Sequence, residues 1–341
     1  MKFRGVRFRS IEACRGPAGR PAGPSPGAAA LRPASRYDAG MPDRKLTLMT
    51  VHAHPDDETI GTGGTMAKAV RDGHRVVLVT GTRGELGEIV VKEMDTPDNH
   101  RRLAELRAAE LEAAMGVLGV TEWENLGYRD SGMMGEPGNL DPRSYWQTDL
   151  DEAARRLVWL IRTYKPDVVT TYNSFGGYGH PDHIRTHDVA VRAFPRAGDP
   201  AWYPEQIADA GLEPWAPSKL YETAIPASVR NSMNERLAEL GVESFWLPPK
   251  DATPEVLAEF EERMAKMLVP DEDITTWIDI GTAVDLKWEA MRKHVTQISD
   301  ESPFMRFGLD GWREFWAKES FILRESTVET TKPESDLFAG L

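Results

Sequence analysis

The sequence predicts an α/β protein with a Rossmann-like, mostly parallel sheet flanked by helices. Three short apolar runs, at 46–52, 75–80 and 167–172, are typical of buried strands. Stretches with apolar residues at helical spacing lie between them, at 98–118 and 150–164. Strands that alternate with helices form parallel sheets. The helix carries the chain back to the end of the sheet where the previous strand began, so the next strand runs in the same direction. We therefore expect ligands to bind at the carboxyl ends of these strands.

Weaker patterns complete the predicted order of elements. A glycine-rich stretch at 61–72 predicts the beginning of a helix, and residues 122–126 predict a short strand. A further helix is expected over 182–194, and 195–217 is predicted to be a connection that contains proline and tryptophan. The C-terminal half is predicted to be an α+β elaboration that shapes the pocket, with helices at 227–240, 254–267 and 284–298 and a strand near 274–280.

Length and composition indicate one domain preceded by a separate N-terminal segment. The chain has 341 residues, of which the first 40 are rich in Arg, Pro, Gly and Ala. Such a composition buries too little apolar surface to offset the entropy of ordering. We expect residues 1–40 to be a disordered or mis-assigned extension, with translation beginning at Met41. A functional tail is the alternative. A secretory signal is not expected, because it would need a continuous apolar run. Residues 41–341 are expected to form a single domain, with a Rossmann-like core at 41–194 and the elaboration at 195–341.

Charge restricts the class of partner. The formal net charge is -13, whereas proteins that bind nucleic acids or anionic membranes usually present basic faces. The single cysteine, Cys14, leaves no internal disulfide and no cysteine-based metal site, and low cysteine use fits a reducing cytoplasm. We therefore expect a cytoplasmic protein that acts on a small molecule, with no nucleic-acid or membrane partner. The sequence leaves the oligomeric state open.

A dense polar motif, His52 to Glu58 (HAHPDDE), follows the first predicted strand. Catalytic zinc is held by imidazole nitrogens and carboxylate oxygens, with one position left for water. His54 and Asp57 are three residues apart around Pro55, so both can point at one metal ion. Asp56 is a candidate general base, since a carboxylate beside a metal can accept a proton from water. The alternative is an acidic turn that caps a helix.

A second motif of the same kind, Tyr178 to His183 (YGHPDH), follows the strand predicted at 167–172. His180 and His183 are again three residues apart around a proline. One can complete the metal site, and the other can protonate a departing amine, with Asp182 as its hydrogen-bonding partner. A helix N-terminus is the alternative for this motif alone. Four of the eight histidines lie in the two motifs, and parallel strands bring such loops together, so we interpret both motifs as one metal site.

Taken together, the two motifs resemble those of the PIG-L/LmbE-like family of N-acetylglucosaminyl deacetylases. The resemblance rests on AHPDDE at 53–58 and GHPDH at 179–183, and it covers roughly residue 45 to the C-terminus. The members nearest in motif belong to the mycothiol pathway, namely the N-acetylglucosaminyl-inositol deacetylase and the mycothiol S-conjugate amidase. The additional stretches that support this are GTRGELGEI at 81–89, RDSGM at 129–133 and HVTQI at 294–298.

The resemblance implies a metal-dependent amide hydrolase with one Zn²⁺ per subunit, or Fe²⁺ in its place. It also implies roles for nine side chains. These are the metal ligands His54, Asp57 and His183; the general base Asp56; the general acid His180, supported by Asp182; the oxyanion donor Tyr178; and the sugar- and inositol-binding residues Arg107 and Asp130.

The implied reaction is removal of the acetyl group from an N-acetylglucosamine-type amide, with 1D-myo-inositol 2-acetamido-2-deoxy-alpha-D-glucopyranoside of mycothiol biosynthesis as the leading substrate. The S-conjugate amidase is the alternative: residues 94–107 and 334–341 favour it, whereas the YGHPDH motif favours the deacetylase. Two histidines and a carboxylate also occur in non-haem iron oxygenases. A nucleotide-binding domain is a further alternative, in which Gly61–Thr65 (GTGGT) would bind a phosphate. This stretch, however, lacks the GxGxxG spacing, and no Walker lysine follows it. A non-catalytic binding module would leave the base and acid unexplained.

Overall fold

A sheet of eight strands organises the part of the chain that the structure describes. This computed structural model describes residues 45–341, apart from 240, 242–243, 245 and 303–304. The predicted extension at 1–40 and the predicted start at Met41 lie outside the described residues. Residues Leu46–Leu341 form one compact unit.

The order of the strands across the sheet confirms the predicted fold class. The strands are β1 (Thr47–His52), β2 (Arg75–Thr80), β3 (Glu122–Asn125), β4 (Val168–Thr171), β5 (Lys219–Pro226), β6 (Leu268–Val269), β7 (Thr276–Asp279) and β8 (Lys318–Ser326). Their order is β3-β2-β1-β4-β5-β8-β7, and β6 pairs with β5. Pairing is parallel from β3 to β5, whereas β8 is antiparallel to both of its neighbours. The chain is therefore α/β, with a mostly parallel sheet that the C-terminal half extends.

Helices cover both faces of this sheet. They are α1 (Asp57–Gly61), α2 (Gly63–Arg71), α3 (Pro97–Arg101), α4 (Leu103–Leu118), α5 (Leu150–Tyr164), α6 (Pro181–Gly198), α7 (Pro204–Ala208), α8 (Ala227–Glu239), α9 (Pro254–Met267), α10 (Val284–Met291) and α11 (Gly308–Phe315). Leu48 of β1 packs in a core with residues of α2, α4 and α10, while the next residue, Met49, packs with α5 and α6. Successive side chains of a strand face opposite sides, so a strand covered on both faces is apolar throughout.

The predicted end of the helix at residue 194 is wrong. Helix α6 continues through Pro195 to Gly198, although a proline inside a helix removes one backbone hydrogen bond. Two interactions offset that loss. Ala197 in this last turn is buried in the core of α5 and α6, and Arg162 of α5 caps the helix end, with Nε donating to the carbonyl of Ala197 at 3.1 Å. The predicted connection at 195–217 is thus partly helical.

Strands β5 and β8 were not predicted, because charged residues interrupt their apolar patterns. Lys219 and Glu222 of β5 are both buried. Lys219 pairs with Glu334 at 2.7 Å, and Glu222 accepts a hydrogen bond from His187 at 3.1 Å. Each partner lies far along the chain, so only the fold shows that these charges are neutralised.

The helix predicted over 284–298 ends earlier, at Met291. Residues 292–298 form turns, in which the backbone N–H of Thr296 donates to Glu110 at 2.8 Å and His294 pairs with Glu58 at 2.9 Å. These side-chain interactions replace the continuation of the helix. Among the described residues, no helix is both long and apolar enough to cross a lipid bilayer.

Candidate active site

The two polar motifs meet at the carboxyl ends of β1 and β4, which pair in parallel at the centre of the sheet. His54 lies two residues beyond β1, and His183 lies in the first turn of α6, which follows β4. His180 is the residue that caps this helix. All three histidines line a cavity of about 1110 Å³. The sheet topology thus brings together residues that are more than 120 positions apart in sequence.

One carboxylate oxygen of Asp57 lies between two of the other predicted ligands in this cavity, His54 and His183. The Oδ2 atom of Asp57 lies 3.3 Å from Nδ1 of His54 and 3.3 Å from Nε2 of His183. Ligand atoms about 2.0–2.1 Å from a tetrahedral zinc ion are about 3.3–3.4 Å from one another. The spacing therefore fits a metal site formed by His54, Asp57 and His183.

The hydrogen bonding of His183 supports the same site. Its side chain is 2% exposed, and neither ring nitrogen has a hydrogen-bond partner among the described residues. A buried imidazole without a partner is costly, unless a metal ion accepts a nitrogen lone pair. Ring nitrogens of His54, His180 and His183 also lie within 4.8 Å of one another. This histidine cluster could therefore hold a metal ion, and Asp57 lies 3.3 Å from two of its rings.

The carboxylate of Asp182 is placed differently from the prediction. It was expected to support His180, but its Oδ2 lies 3.2 Å from Nε2 of His54. Both oxygens also accept hydrogen bonds from Ser131, one from its backbone N–H at 3.0 Å and one from its hydroxyl. Asp182 thus orients His54, so that Nδ1 of the same ring faces Asp57 and the metal position.

His180 is held as a neutral imidazole. Its Nδ1 accepts the backbone N–H of Asp182 at 3.1 Å, which places the ring proton on Nε2. Burial, together with the neighbouring His54 and His183, lowers the pKa of His180 to about 2. A cation held by those two histidines would lower this pKa further. His180 is therefore a hydrogen-bond donor in the cavity and is not an imidazolium.

Asp56 combines a raised pKa with an unusual backbone. Burial raises the pKa of this carboxyl to about 6, against the effect of Arg107 and with that of Asp57. The Arg107 guanidinium lies 3.0 Å from Oδ1 of Asp56. The backbone φ of Asp56 is 117° and its ψ is -37°. This conformation costs a non-glycine residue about 1–3 kcal/mol. A carboxylate whose pKa is near neutrality suits a general base.

The two predicted sugar-binding residues reach the cavity with some of their hydrogen-bonding capacity already used. Arg107, which is 4% exposed, donates to the carbonyl of Gly84 at 2.9 Å and to that of Pro55. Asp130 accepts the N–H groups of Leu86 at 3.0 Å and Gly132 at 2.9 Å. Both side chains line the cavity, on the side formed by the segments that follow β2 and β3.

Tyr178 lies at the mouth of the cavity, with its ring centroid 4.8 Å from that of His183. The residue is 43% exposed. Desolvation of the hydroxyl, with Asp57 and Asp56 nearby, raises the pKa of Tyr178. The phenol therefore stays protonated and can donate a hydrogen bond to an oxyanion.

The glycine-rich stretch is occupied by the chain itself, which argues against nucleotide binding. The carboxylate of Glu319 accepts the N–H groups of Gly64 at 2.9 Å and Thr65 at 2.8 Å, at the beginning of α2. Lys287 completes the buried cluster at 2.6 Å from Glu319. The amides that would bind a phosphate thus already have an anion.

Sequence reasoning missed three residues that support the site. Ser131, which holds Asp182, lies inside the RDSGM stretch, and His294 lies inside HVTQI. Glu58, the partner of His294, is the last residue of the first motif. These stretches were recognised as features of the resemblance, but no role in the site was assigned to these three residues.

Comparison with known proteins agrees with the geometry. The PIG-L family profile, described as GlcNAc-PI de-N-acetylase, matches residues 49–194. A protein of Geodermatophilus obscurus named 1D-myo-inositol 2-acetamido-2-deoxy-alpha-D-glucopyranoside deacetylase is 42% identical over 307 residues, which cover 88% of this chain and 99% of the relative. This chain belongs to the PIG-L family. The predicted resemblance is thereby confirmed, and the matched residues include both polar motifs.

Two further comparisons extend the family assignment. A protein of Catenulispora acidiphila named 1D-myo-inositol 2-acetamido-2-deoxy-alpha-D-glucopyranoside deacetylase 1 is 42% identical over 318 residues, covering 91% of this chain and 94% of the relative. The solved structure of N,N'-diacetylchitobiose deacetylase from Pyrococcus horikoshii superposes with a TM-score of 0.55 at 22% identity, covering 82% of this chain and 84% of that one. The structural likeness shows the shared fold. As a member of this family the chain is a deacetylase-type amide hydrolase, as predicted.

Proposed function

We propose that this PIG-L family member removes the acetyl group from 1D-myo-inositol 2-acetamido-2-deoxy-alpha-D-glucopyranoside, with Zn²⁺ held by His54, Asp57 and His183. The observation that carries the proposal is the position of Asp57 Oδ2, which lies 3.3 Å from Nδ1 of His54 and 3.3 Å from Nε2 of His183. The names of relatives at 42% identity support this substrate. Two imidazoles and one carboxylate suit Zn²⁺, and Fe²⁺ is the second candidate.

The residues around the ligands have different roles in amide hydrolysis. A divalent ion bound there supplies polarisation of the carbonyl and a lowered pKa for water. Asp56 accepts the proton of the attacking water, because its carboxylate lies next to Asp57 and its pKa is raised to about 6. Tyr178 donates a hydrogen bond to the carbonyl oxygen as negative charge develops on it.

We propose that Asp56 also supplies the proton that the departing nitrogen needs. Asp56 carries a proton once it has accepted one from water. His180 also carries one, on Nε2. Its pKa of about 2, however, describes the imidazolium, which has a proton on both ring nitrogens and becomes neutral when it loses one. A neutral imidazole is a very weak acid. His180 is therefore proposed to donate a hydrogen bond within the cavity, which revises the acid role predicted for it.

The sheet order suggests where each half of the substrate binds. Arg107 and Asp130 lie on the side of β2 and β3, the metal ligands lie at β1 and β4, and the cavity continues beyond β5. We propose that the sugar and inositol hydroxyls bind the Arg107 and Asp130 side. The acyl group then points across the metal position toward β5.

The cavity beyond β5 favours one second candidate function. Its walls there come from β5, α8 and α9. They include the apolar residues Ile225, Val229, Met233, Met264 and Met267, together with the polar residues Thr223, Ser228, Ser232 and Arg263. An acetyl group fills little of this space, whereas the acyl group of a mycothiol S-conjugate is larger and often apolar. The S-conjugate amidase therefore stays a candidate for the same site and mechanism.

Release of primary amine from the two substrates tests this proposal. We expect kcat/KM for the N-acetyl substrate to exceed that for an S-conjugate by about tenfold or more, equivalent to about 1.4 kcal/mol in transition-state stabilisation. The already deacetylated glucosaminyl-inositol gives the amine background. Preference for the conjugate would favour the second candidate, and no amine from either substrate by the zinc-loaded protein would contradict both.

A further inference from the structure

The backbone of Asp56 is strained, and its conformation differs from that of other non-glycine residues with positive φ. Two other non-glycine residues with positive φ, Lys165 and Tyr203, adopt the ordinary left-handed conformation, with φ of 51° and 52° and ψ of 55°. Asp56 lies outside that region, with φ of 117° and ψ of -37°. Such strain persists only where surrounding contacts determine the conformation, and it often occurs at active sites.

A buried chain of hydrogen bonds holds this peptide from the far end of the sequence. The N–H of Asp56 donates to Oε2 of Glu58 at 2.8 Å. The other oxygen of Glu58, Oε1, accepts Nε2 of His294 at 2.9 Å. Glu58 and His294 are both 0% exposed and are 236 residues apart. The carbonyl of Asp56 accepts the N–H of Thr59 at 3.0 Å, so both polar groups of the strained residue are bonded.

The same C-terminal segment supports the carboxylate of Asp56 by a second route. Thr296 donates to Glu110 of α4 through its N–H and its hydroxyl, each at 2.8 Å. Arg107, one turn earlier on α4, lies 3.0 Å from the Asp56 carboxylate. Residues 294–296 therefore contact both elements that position Asp56.

We propose that His294, acting through Glu58, is a positioning residue that holds Asp56 in its strained conformation with the carboxylate directed at the metal position. The proposal rests on the proposed function of Asp56 as the base. Glu58 can accept the Asp56 N–H in this geometry only while its other oxygen is paired, because an unpaired buried carboxylate turns or becomes protonated.

Loss of this link is expected to act on the rate of the chemical step. Without His294 the Asp56 peptide can relax toward an ordinary backbone conformation, which moves its carboxylate. Misplacement of a reacting group by about 1 Å can cost about 100-fold in rate, and loss of a partner outside the reacting groups typically costs about 10–100-fold. We expect His294→Leu to lower kcat by about 10–100-fold, with KM and bound zinc changed by less than about threefold.

A double-mutant cycle with Asp56→Asn separates positioning from general destabilisation. If His294 acts through the base, then His294→Leu lowers kcat in the native background and has almost no further effect when Asp56 is already Asn. His294→Gln, whose amide can donate to Glu58, should recover most of the activity. Equal fold losses in both backgrounds would overturn the proposal.

Two further variants keep the test decisive. Glu58→Met removes the same link from its other end and replaces His294→Leu if that protein does not fold. His187→Leu is the matched control, since His187 also pairs with a buried glutamate, Glu222, at 3.1 Å but has no contact with Asp56. It should lower thermal stability and leave kcat within about twofold; a loss of kcat as large as that of His294→Leu would contradict the proposal. If Asp56→Asn alone retains full activity, the proposed base fails, and that result is distinct from failure of the positioning role.

Discussion

His183→Ala is expected to lose both the bound metal and measurable turnover, while the protein stays folded. The side chain is buried, neither ring nitrogen has a hydrogen-bond partner among the described residues, and Nε2 lies 3.3 Å from Asp57. With only His54 and Asp57 left, the site falls below the three protein ligands of a catalytic zinc site. We expect kcat/KM to fall by about 10⁴-fold or more, since both the polarised carbonyl and the activated water depend on the ion.

Metal content by mass spectrometry, circular dichroism and amine release measure this loss together. The control is His187→Ala, one turn along the same helix and also buried, which should keep its metal and its activity. Full turnover by a folded His183→Ala protein would contradict the site assignment.

Asp56→Asn is expected to lower kcat by about 10²–10⁴-fold and to leave the metal bound. The amide has nearly the same size as the carboxylate but cannot accept a proton from water. The backbone N–H and carbonyl of residue 56 keep their partners, Glu58 and Thr59, so the strained backbone is expected to persist. The loss should therefore report the missing base together with the lost ion pair to Arg107, which lies 3.0 Å from the Asp56 carboxylate.

Steady-state kinetics on zinc-loaded protein of known metal content measures the effect. Asp72→Asn, a change at a half-buried residue at the end of α2 that pairs with Lys68, controls for the removal of one negative charge. An Asp56→Asn protein with native metal content and kcat within about fivefold of the native value would show that another group accepts the proton.

The meeting of the two polar motifs was predictable because it depends on local order and on sheet topology. The apolar runs of β1 and β4 mark two strands that pair in parallel. The first polar motif begins at the end of β1, and the second follows β4 after the loop at 172–177. Parallel pairing then places His54 and His183 side by side. For these residues the sequence pattern and the structure agree.

The supporting residues were not predictable, because their partners are distant and their roles depend on side-chain geometry. Asp182 is next to His183 in sequence, yet its carboxylate bonds His54 at 3.2 Å. His294 reaches Glu58 across 236 residues. Strand β5 was missed for the same reason, since the pairing of Lys219 with Glu334 spans 115 residues. Spacing along one chain carries no information about such contacts.

Reconstitution with zinc tests the central claim most directly, because the claim is that His54, Asp57 and His183 hold the ion on which amide hydrolysis depends. The native protein is stripped with a chelator, shown to contain no metal, and titrated with Zn²⁺ while acetate and primary amine are measured from the N-acetylglucosaminyl-inositol substrate. We expect the stripped protein to be inactive, and activity to rise in proportion to bound zinc until one ion is bound per chain. Full activity in the stripped protein would contradict metal-dependent hydrolysis at this site.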